Sequence, residues 1–120
     1  MSFETSLFTA QATDNLAGSL TAKGAQGGPK ALSQQTFSPG INRDGIDVFT
    51  IYSRWEGLGG STKAAQQGSI ARGEMLFDNR PIRINGVAGF NDVRGEETVN
   101  GTCGTCHNAP NVGSSSNFAM

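Results

Sequence analysis

Large apolar residues are spread unevenly along the chain, and their spacing is the first guide to its elements. Over residues 1–40 they are sparse among Ser, Thr, Gln, Ala and Gly. The stretch from Gly18 to Pro29 reads as loop, because its glycines and its proline stop helix and strand alike. Residues 12–17 allow one short helical turn. From Ile41 to Leu58 the apolar signal is denser. Ile46, Val48, Thr50 and Tyr52 lie on one side at period two, while Val48, Ile51, Tyr52 and Trp55 fit the helical spacing of three and four equally well. Trp55 extends the helical stripe, and Gly57, Gly59 and Gly60 supply a stop. The pattern therefore predicts a short helix near 46–56.

A clearer helix is expected from Ser69 to Phe77. Ser69 suits the N-cap, where its hydroxyl can take a free amide of the first turn, and Ile70 and Phe77 lie two turns apart on one face. Gly73 sits inside this helix, where glycine costs about 1 kcal/mol against alanine; a close neighbour or a tolerated surface position accounts for it equally well. Beyond it, Pro81-Ile82-Arg83-Ile84-Asn85-Gly86-Val87 alternates as a short strand ending in an Asn-Gly turn. Gly89, Gly95 and Gly101 break the rest, and residues 111–120 read as an open end. The expected division is a loop-rich N-terminal segment over 1–60 and a second segment over 61–120.

Composition sharpens this picture in one respect. Leu, Ile, Val and Phe total 24 of 120 residues, against 17 Gly and 4 Pro. A chain so built is loop-rich, with a thin core. Nine basic and ten acidic residues leave a net charge of −1, which gives no footprint for nucleic acid. No apolar run approaches the roughly 20 residues that a membrane-spanning helix needs. The N-terminus lacks the basic-then-apolar order of a secretory signal.

The chemistry is concentrated in one place. The chain holds two Cys and one His, and all three fall in Cys103-Gly104-Thr105-Cys106-His107. Cys-x-x-Cys-His is the attachment signature of a c-type haem. Two thiols separated by two residues can reach the two vinyl groups on one porphyrin edge, and the following imidazole can bind the iron as proximal ligand. Gly104 and Thr105 are small enough for the tight turn. Three other readings compete. A structural zinc site wants four ligands, and this chain has three such residues. A thioredoxin-like dithiol wants its first Cys at a helix N-terminus after a buried strand, whereas a Gly-rich segment precedes Cys103. The third is a pair of ordinary Cys beside an unrelated surface His.

With the motif in view, the chain resembles a known superfamily. Gly73-Glu74-Met75-Leu76-Phe77 resembles the Gly-x-x-x-aromatic element in the first helix of cytochrome c domains. The run Gly73 to Arg80 is similar to the segment before the first haem of bacterial di-haem cytochrome c peroxidases, and Cys103 to Asn108 with Pro110 completes the likeness. The resemblance covers about residues 68–113. It implies a mainly α, loop-rich, cytochrome c-like haem-binding domain over 61–120, carrying one covalently attached haem c. Two departures stand out. Twenty-five residues, 78–102, separate the helix from the motif, which favours the di-haem-peroxidase-like branch. Only 13 residues follow His107, so the crossing C-terminal helix of the family is absent. The expectation is a domain that is incomplete or completed by another chain.

His107 is the only histidine, so bis-histidine ligation within one chain is impossible. The distal candidates are Met75, Met120, Lys, Asn, Tyr52 or water. Met75 is read as core packing by its helical setting, and Met120 as the residue that could fold back onto the iron. Pro110, through its own or a neighbouring carbonyl, is a candidate acceptor for the imidazole N–H. Arg72, Arg80 and Arg83 are candidate partners for the propionates, and Phe77, Phe90, Val112 and Trp55 candidates to line the ring. The functional expectation is a mono-haem electron carrier that meets redox partner proteins outside the cytoplasm, in the periplasm or beyond, where haem is normally attached to thiols. The alternatives are a peroxidase-like domain or fragment with an exchangeable sixth position, and a haem subunit of a larger assembly.

Overall fold

The computed structural model describes residues 11–34 and 49–107. In the first of these segments β1 (Thr13–Asp14) and β2 (Gly18–Ser19) form a small antiparallel hairpin, pairing Thr13 with Ser19 and Asp14 with Gly18. This replaces the helical turn expected over 12–17. The reason is local: Asp14 Oδ1 accepts the N–H groups of Leu16 at 2.8 Å and Ala17 at 2.7 Å. An Asp that binds backbone two and three residues on closes a turn rather than a helix. Those donors, Ala17 first and then Leu16, hold the Asp14 carboxyl below its ordinary range. A 3-10 turn at Ala22–Gly24 and the four-residue helix α1 (Pro29–Leu32) follow.

The helix expected near 46–56 is not formed over its described part. Residues 46–48 lie outside the described residues, and the remainder is irregular until a single 3-10 turn at Ser53–Trp55. Trp55 is nevertheless the centre of the first core cluster, fully buried with Ala17, Leu20, Ala25 and Ala71. Its indole Nε1–H donates to the Ala22 carbonyl at 2.8 Å, so a buried donor is satisfied. Residues on both sides of position 60 share this cluster.

The long helix α2 runs Thr62–Asn79, seven residues earlier in its start than its apolar pattern predicts. Ser61 is the N-cap, its hydroxyl accepting the Ala64 N–H at 3.2 Å; Ser69 lies inside the helix. The buried face consists of Ala64, Gln67, Gly68, Ala71 and Asp78. Such small and polar residues leave no apolar stripe for periodicity to detect. Gly68 faces the Leu58 carbonyl so closely that a Cβ would overlap it. Gly73 is the opposite case: a Cβ there meets nothing within 4 Å. Gly73→Ala should therefore stabilise the protein by about 1 kcal/mol through helix propensity alone. A urea midpoint that moves down instead would mean that this face is occupied in solution.

After α2 the chain builds a second antiparallel pair, β3 (Ile82–Asn85) with β4 (Thr98–Gly101), in the register Ile82–Gly101, Arg83–Asn100, Ile84–Val99 and Asn85–Thr98. The alternation over 81–87 finds its strand. The Asn85-Gly86 turn does not close a tight hairpin, because residues 86–97 and the short helix α3 (Asn91–Arg94) intervene. One side chain organises that connection. Asn91 is buried; its Nδ2 is shared among the carbonyls of Ile84 (3.0 Å), Glu96 (2.9 Å) and Glu97 (3.3 Å), and its Oδ1 accepts the Val87 N–H at 2.9 Å. Ile84, Phe90 and Val99 form the second core cluster.

The expected mainly α, cytochrome c-like architecture is therefore corrected. The described residues form a small mixed α/β arrangement of three α-helices, two of them a single turn long, with two small antiparallel sheets. The physical cause is the segment 78–102. Gly86, Gly89 and Gly95 adopt positive φ there, which interrupts a helix, while the β-branched residues of Ile82-Arg83-Ile84 and Thr98-Val99 favour pairing. No helix among the described residues is long and apolar enough to cross a membrane.

Candidate functional site

One residue, Thr102, separates the end of β4 from the motif. Cys103–Thr105 is a 3-10 turn whose backbone closes on itself: the Cys103 carbonyl accepts the N–H groups of Cys106 at 3.2 Å and His107 at 3.1 Å. The Thr102 N–H donates to Thr105 Oγ1 at 2.8 Å, and the Thr105 N–H donates to the Thr102 carbonyl at 3.1 Å. Thr105 thus ties both ends of the turn, and its side chain is buried. Gly101 lies against that side chain with no room for a Cβ. Cys103 opens this turn and Cys106 is its C-cap, so the two thiols stand at its two ends, three residues apart.

Both cysteines are free thiols of intermediate exposure, and His107 is exposed. Cys106 packs on the Ile84, Phe90 and Val99 cluster, and burial pushes its thiol above the ordinary range. The turn rests on α2. There the His107 ring lies 6.1 Å from that of Phe77, at 59° between planes. Phe77 in turn meets Phe49 edge-on, with centroids 5.3 Å apart. Both spacings fall within the range of aromatic pairs. Of the residues proposed from sequence, the structure brings Cys103, Cys106, His107 and Phe77 together. Pro110, Val112 and Met120 lie outside the described residues.

Phe90 reaches the motif through the cluster on which Cys106 packs, and the other candidates sit elsewhere. Trp55 belongs to the first cluster and Phe90 to the second, beneath Cys106. Met75 is 47% exposed, so the expectation that it packs in the core is corrected. It lines an open apolar groove of about 550 Å³ with Arg72, Leu76, Asn79, Arg80 and Pro81. At roughly 100° per residue, Arg72 and Asn79 lie on the far side of α2 from Phe77. Arg83 is exposed on β3.

Two residues that the sequence reading passed over hold the segment before Trp55 onto α2. Glu74 accepts the N–H of Ile51 at 2.7 Å through Oε1 and that of Tyr52 at 2.8 Å through Oε2. Asp78 accepts the Phe49 N–H at 3.3 Å with each oxygen. The available signal was a pair of acids at i and i+4 in a helix whose neighbours were being read as packing. Burial raises the Glu74 carboxyl above its ordinary range. The Tyr52 and Ile51 amides oppose that shift, and Asp78 and Glu56 add to it.

Burial, and then the charges of Glu74 and Asp14, also raise the Tyr52 phenol above its ordinary value of 10.0. An acid whose folded value is raised keeps its proton longer in the native state than in the unfolded one. Stability must then fall as pH rises past the unfolded value, near 10. Tyr52→Phe should flatten this alkaline decline, as measured by urea unfolding at stepped pH. An equal slope in the two proteins would refute it.

The donor set bears on which group the motif can hold. Among the described residues no three His, Cys, Asp or Glu side chains converge as a metal-ion cage. Structural zinc needs four convergent ligands, whereas haem attachment asks for one iron ligand and two thiols aimed at carbon. Two free, partly exposed thiols at the ends of one tight turn, followed by an exposed imidazole, fit the second demand. No protein-family model, curated protein or solved structure matches the chain.

Proposed function

We propose that this chain is a mono-haem c-type protein that carries single electrons, with haem bound through Cys103 and Cys106 and ligated by His107. The observation that supports the reading is the 3-10 turn: it has a free thiol at each end, with the only histidine of the chain directly after them. Covalently attached haem would supply a reversible one-electron couple. The chain's own residues would set its surroundings. Thr105 and Gly101 fix the turn, the Ile84, Phe90 and Val99 cluster supports Cys106 from below, and Phe77 backs the imidazole. No acid, base or nucleophile arrangement for substrate chemistry is needed for this role.

The reading carries three further proposals. The electrons pass to and from redox partner proteins. The mature chain works in the periplasm or outside the cell, where thioether bonds to haem are normally made. The likeness of Gly73–Phe77 and Cys103–Pro110 to c-type cytochromes is one of relatedness in this motif region, although the fold differs from the expected one.

Expression with the haem-maturation machinery, followed by intact mass and absorption spectra, tests the assignment. We expect the mass of the chain plus one haem, with sharp reduced-state bands. Cys103→Ser with Cys106→Ser should abolish covalent attachment. Wild-type protein that emerges without haem sinks the proposal. Carbon monoxide then separates the roles: an unchanged reduced spectrum fits an electron carrier, and a ready shift fits a peroxidase-like open site.

A further inference from the structure

The seam between α2 and the segment 49–55 joins charged hydrogen bonds to apolar contacts, Trp55 on Ala71 and Phe49 against Phe77. Glu74 spends both carboxylate oxygens on consecutive backbone amides, Ile51 and Tyr52, at 2.7 and 2.8 Å. Bonds to an ionised acceptor are roughly twice as strong as neutral ones, and nothing in the proposed haem chemistry uses this carboxylate. What it holds matters for the site. The residue two before Ile51 is Phe49, whose ring stands edge-on to Phe77, and Phe77 is the ring beside His107. The residues two and three beyond Tyr52 complete the 3-10 turn that delivers Trp55 to the first cluster. One side chain therefore fixes a strap with an aromatic relay at one end and the core anchor at the other.

We propose that Glu74 is a positioning residue for His107, acting through the backbone of Ile51 and Tyr52, then Phe49, then Phe77. The inference rests on reading His107 as the iron's proximal ligand, but the relay itself is a property of the chain without haem. Glu74 fixes where Phe49 sits, Phe49 limits the tilt of Phe77, and Phe77 sets the face on which the imidazole lies. Asp78, which grips Phe49 directly with two longer bonds, assists from the next turn of the helix.

The chain offers a reporter at each end, because Trp55 and His107 are each the only residue of their type. In the purified full chain without haem, the His107 Hε1 proton gives a single resolvable NMR signal and Trp55 a single emission band. Glu74→Gln is the mild variant: its amide keeps one acceptor and presents a donor to the second N–H, so one of the two bonds must be lost. Phe49→Leu cuts the relay while leaving Glu74 intact. We expect Glu74→Gln and Phe49→Leu each to shift the His107 signal, and Glu74→Gln to cause no further shift in the Phe49→Leu background. In haem-loaded protein the same pair should move the reduction potential, again without addition. A role confined to stability would lower the urea midpoint and leave the His107 shift of the folded protein where it was, and that result overturns the inference. So does a Glu74→Gln shift that persists undiminished without Phe49. Wild-type chain that takes up no haem, yet shows the non-additive His107 shifts, would defeat the functional reading and leave the relay standing.

Discussion

Trp55→Ala should cost about 3–5 kcal/mol, the usual range for deleting a large buried aromatic ring. The indole is fully buried among Ala17, Leu20, Ala25 and Ala71, and three of these four neighbours are alanines with no side chain to extend into the space. It also donates to the Ala22 carbonyl at 2.8 Å, which would lose that partner. Two losses therefore coincide: a cavity in a cluster otherwise made largely of alanines, and a broken tie between the 3-10 turns at Ala22–Gly24 and Ser53–Trp55. Trp55→Phe keeps most of the volume and forfeits the hydrogen bond, so it should fall between. Circular dichroism through a urea series reads both variants, since the fluorophore itself is gone. A loss below about 1 kcal/mol for alanine would mean that the cluster does not hold the N-terminal segment to α2.

Gly101→Ala is the second large effect, and it lies beside the motif. The added Cβ would overlap the Thr105 side chain, which cannot swing away without giving up the Thr102 N–H at 2.8 Å. Overpacking of this kind costs about 1–3 kcal/mol. The strain falls on the turn that holds Cys103 and Cys106, so the covalently loaded fraction should drop together with the urea midpoint. Gly59→Ala is the control, because a Cβ there meets nothing within 4 Å. Equal behaviour of the two variants would show that the Gly101–Thr105 contact does not govern the turn.

The grouping of Cys103, Cys106 and His107 was legible because the three fall within five residues and the turn that holds them is local. The strand Ile82–Asn85 was legible for the same reason, since alternation is a neighbour-to-neighbour signal. The elements that were misread depend on partners far along the chain. α2 begins at Thr62 because Ala64, Gln67, Gly68 and Ala71 are buried, and residues so small or polar advertise burial to no periodic test. The segment 49–52 carries helical spacing, yet Glu74 and Asp78 take its amides from more than twenty residues away. Side-chain acceptors of that kind compete with the helix's own carbonyls for the same N–H groups. The mainly α expectation failed on the same ground. It was drawn from the likeness around Gly73–Phe77 and the haem motif, whereas the pairing of Ile82–Asn85 with Thr98–Gly101 is decided by the intervening residues.

The connection tied by Asn91 also has a bearing on how this chain can change over time. A tight hairpin couples loop length to strand register, so one inserted residue shifts every downstream side chain to the other face. Here β3 and β4 are joined through a loop whose ends are gathered by a single amide, bonded to Ile84 on one side and to Glu96 and Glu97 on the other. Insertions around the exposed residues Asp92–Gly95 would lengthen the tip while Asn91 goes on gathering its base. Variation in length between related chains is therefore expected to collect at this tip, with the distance from β4 to Cys103 held constant.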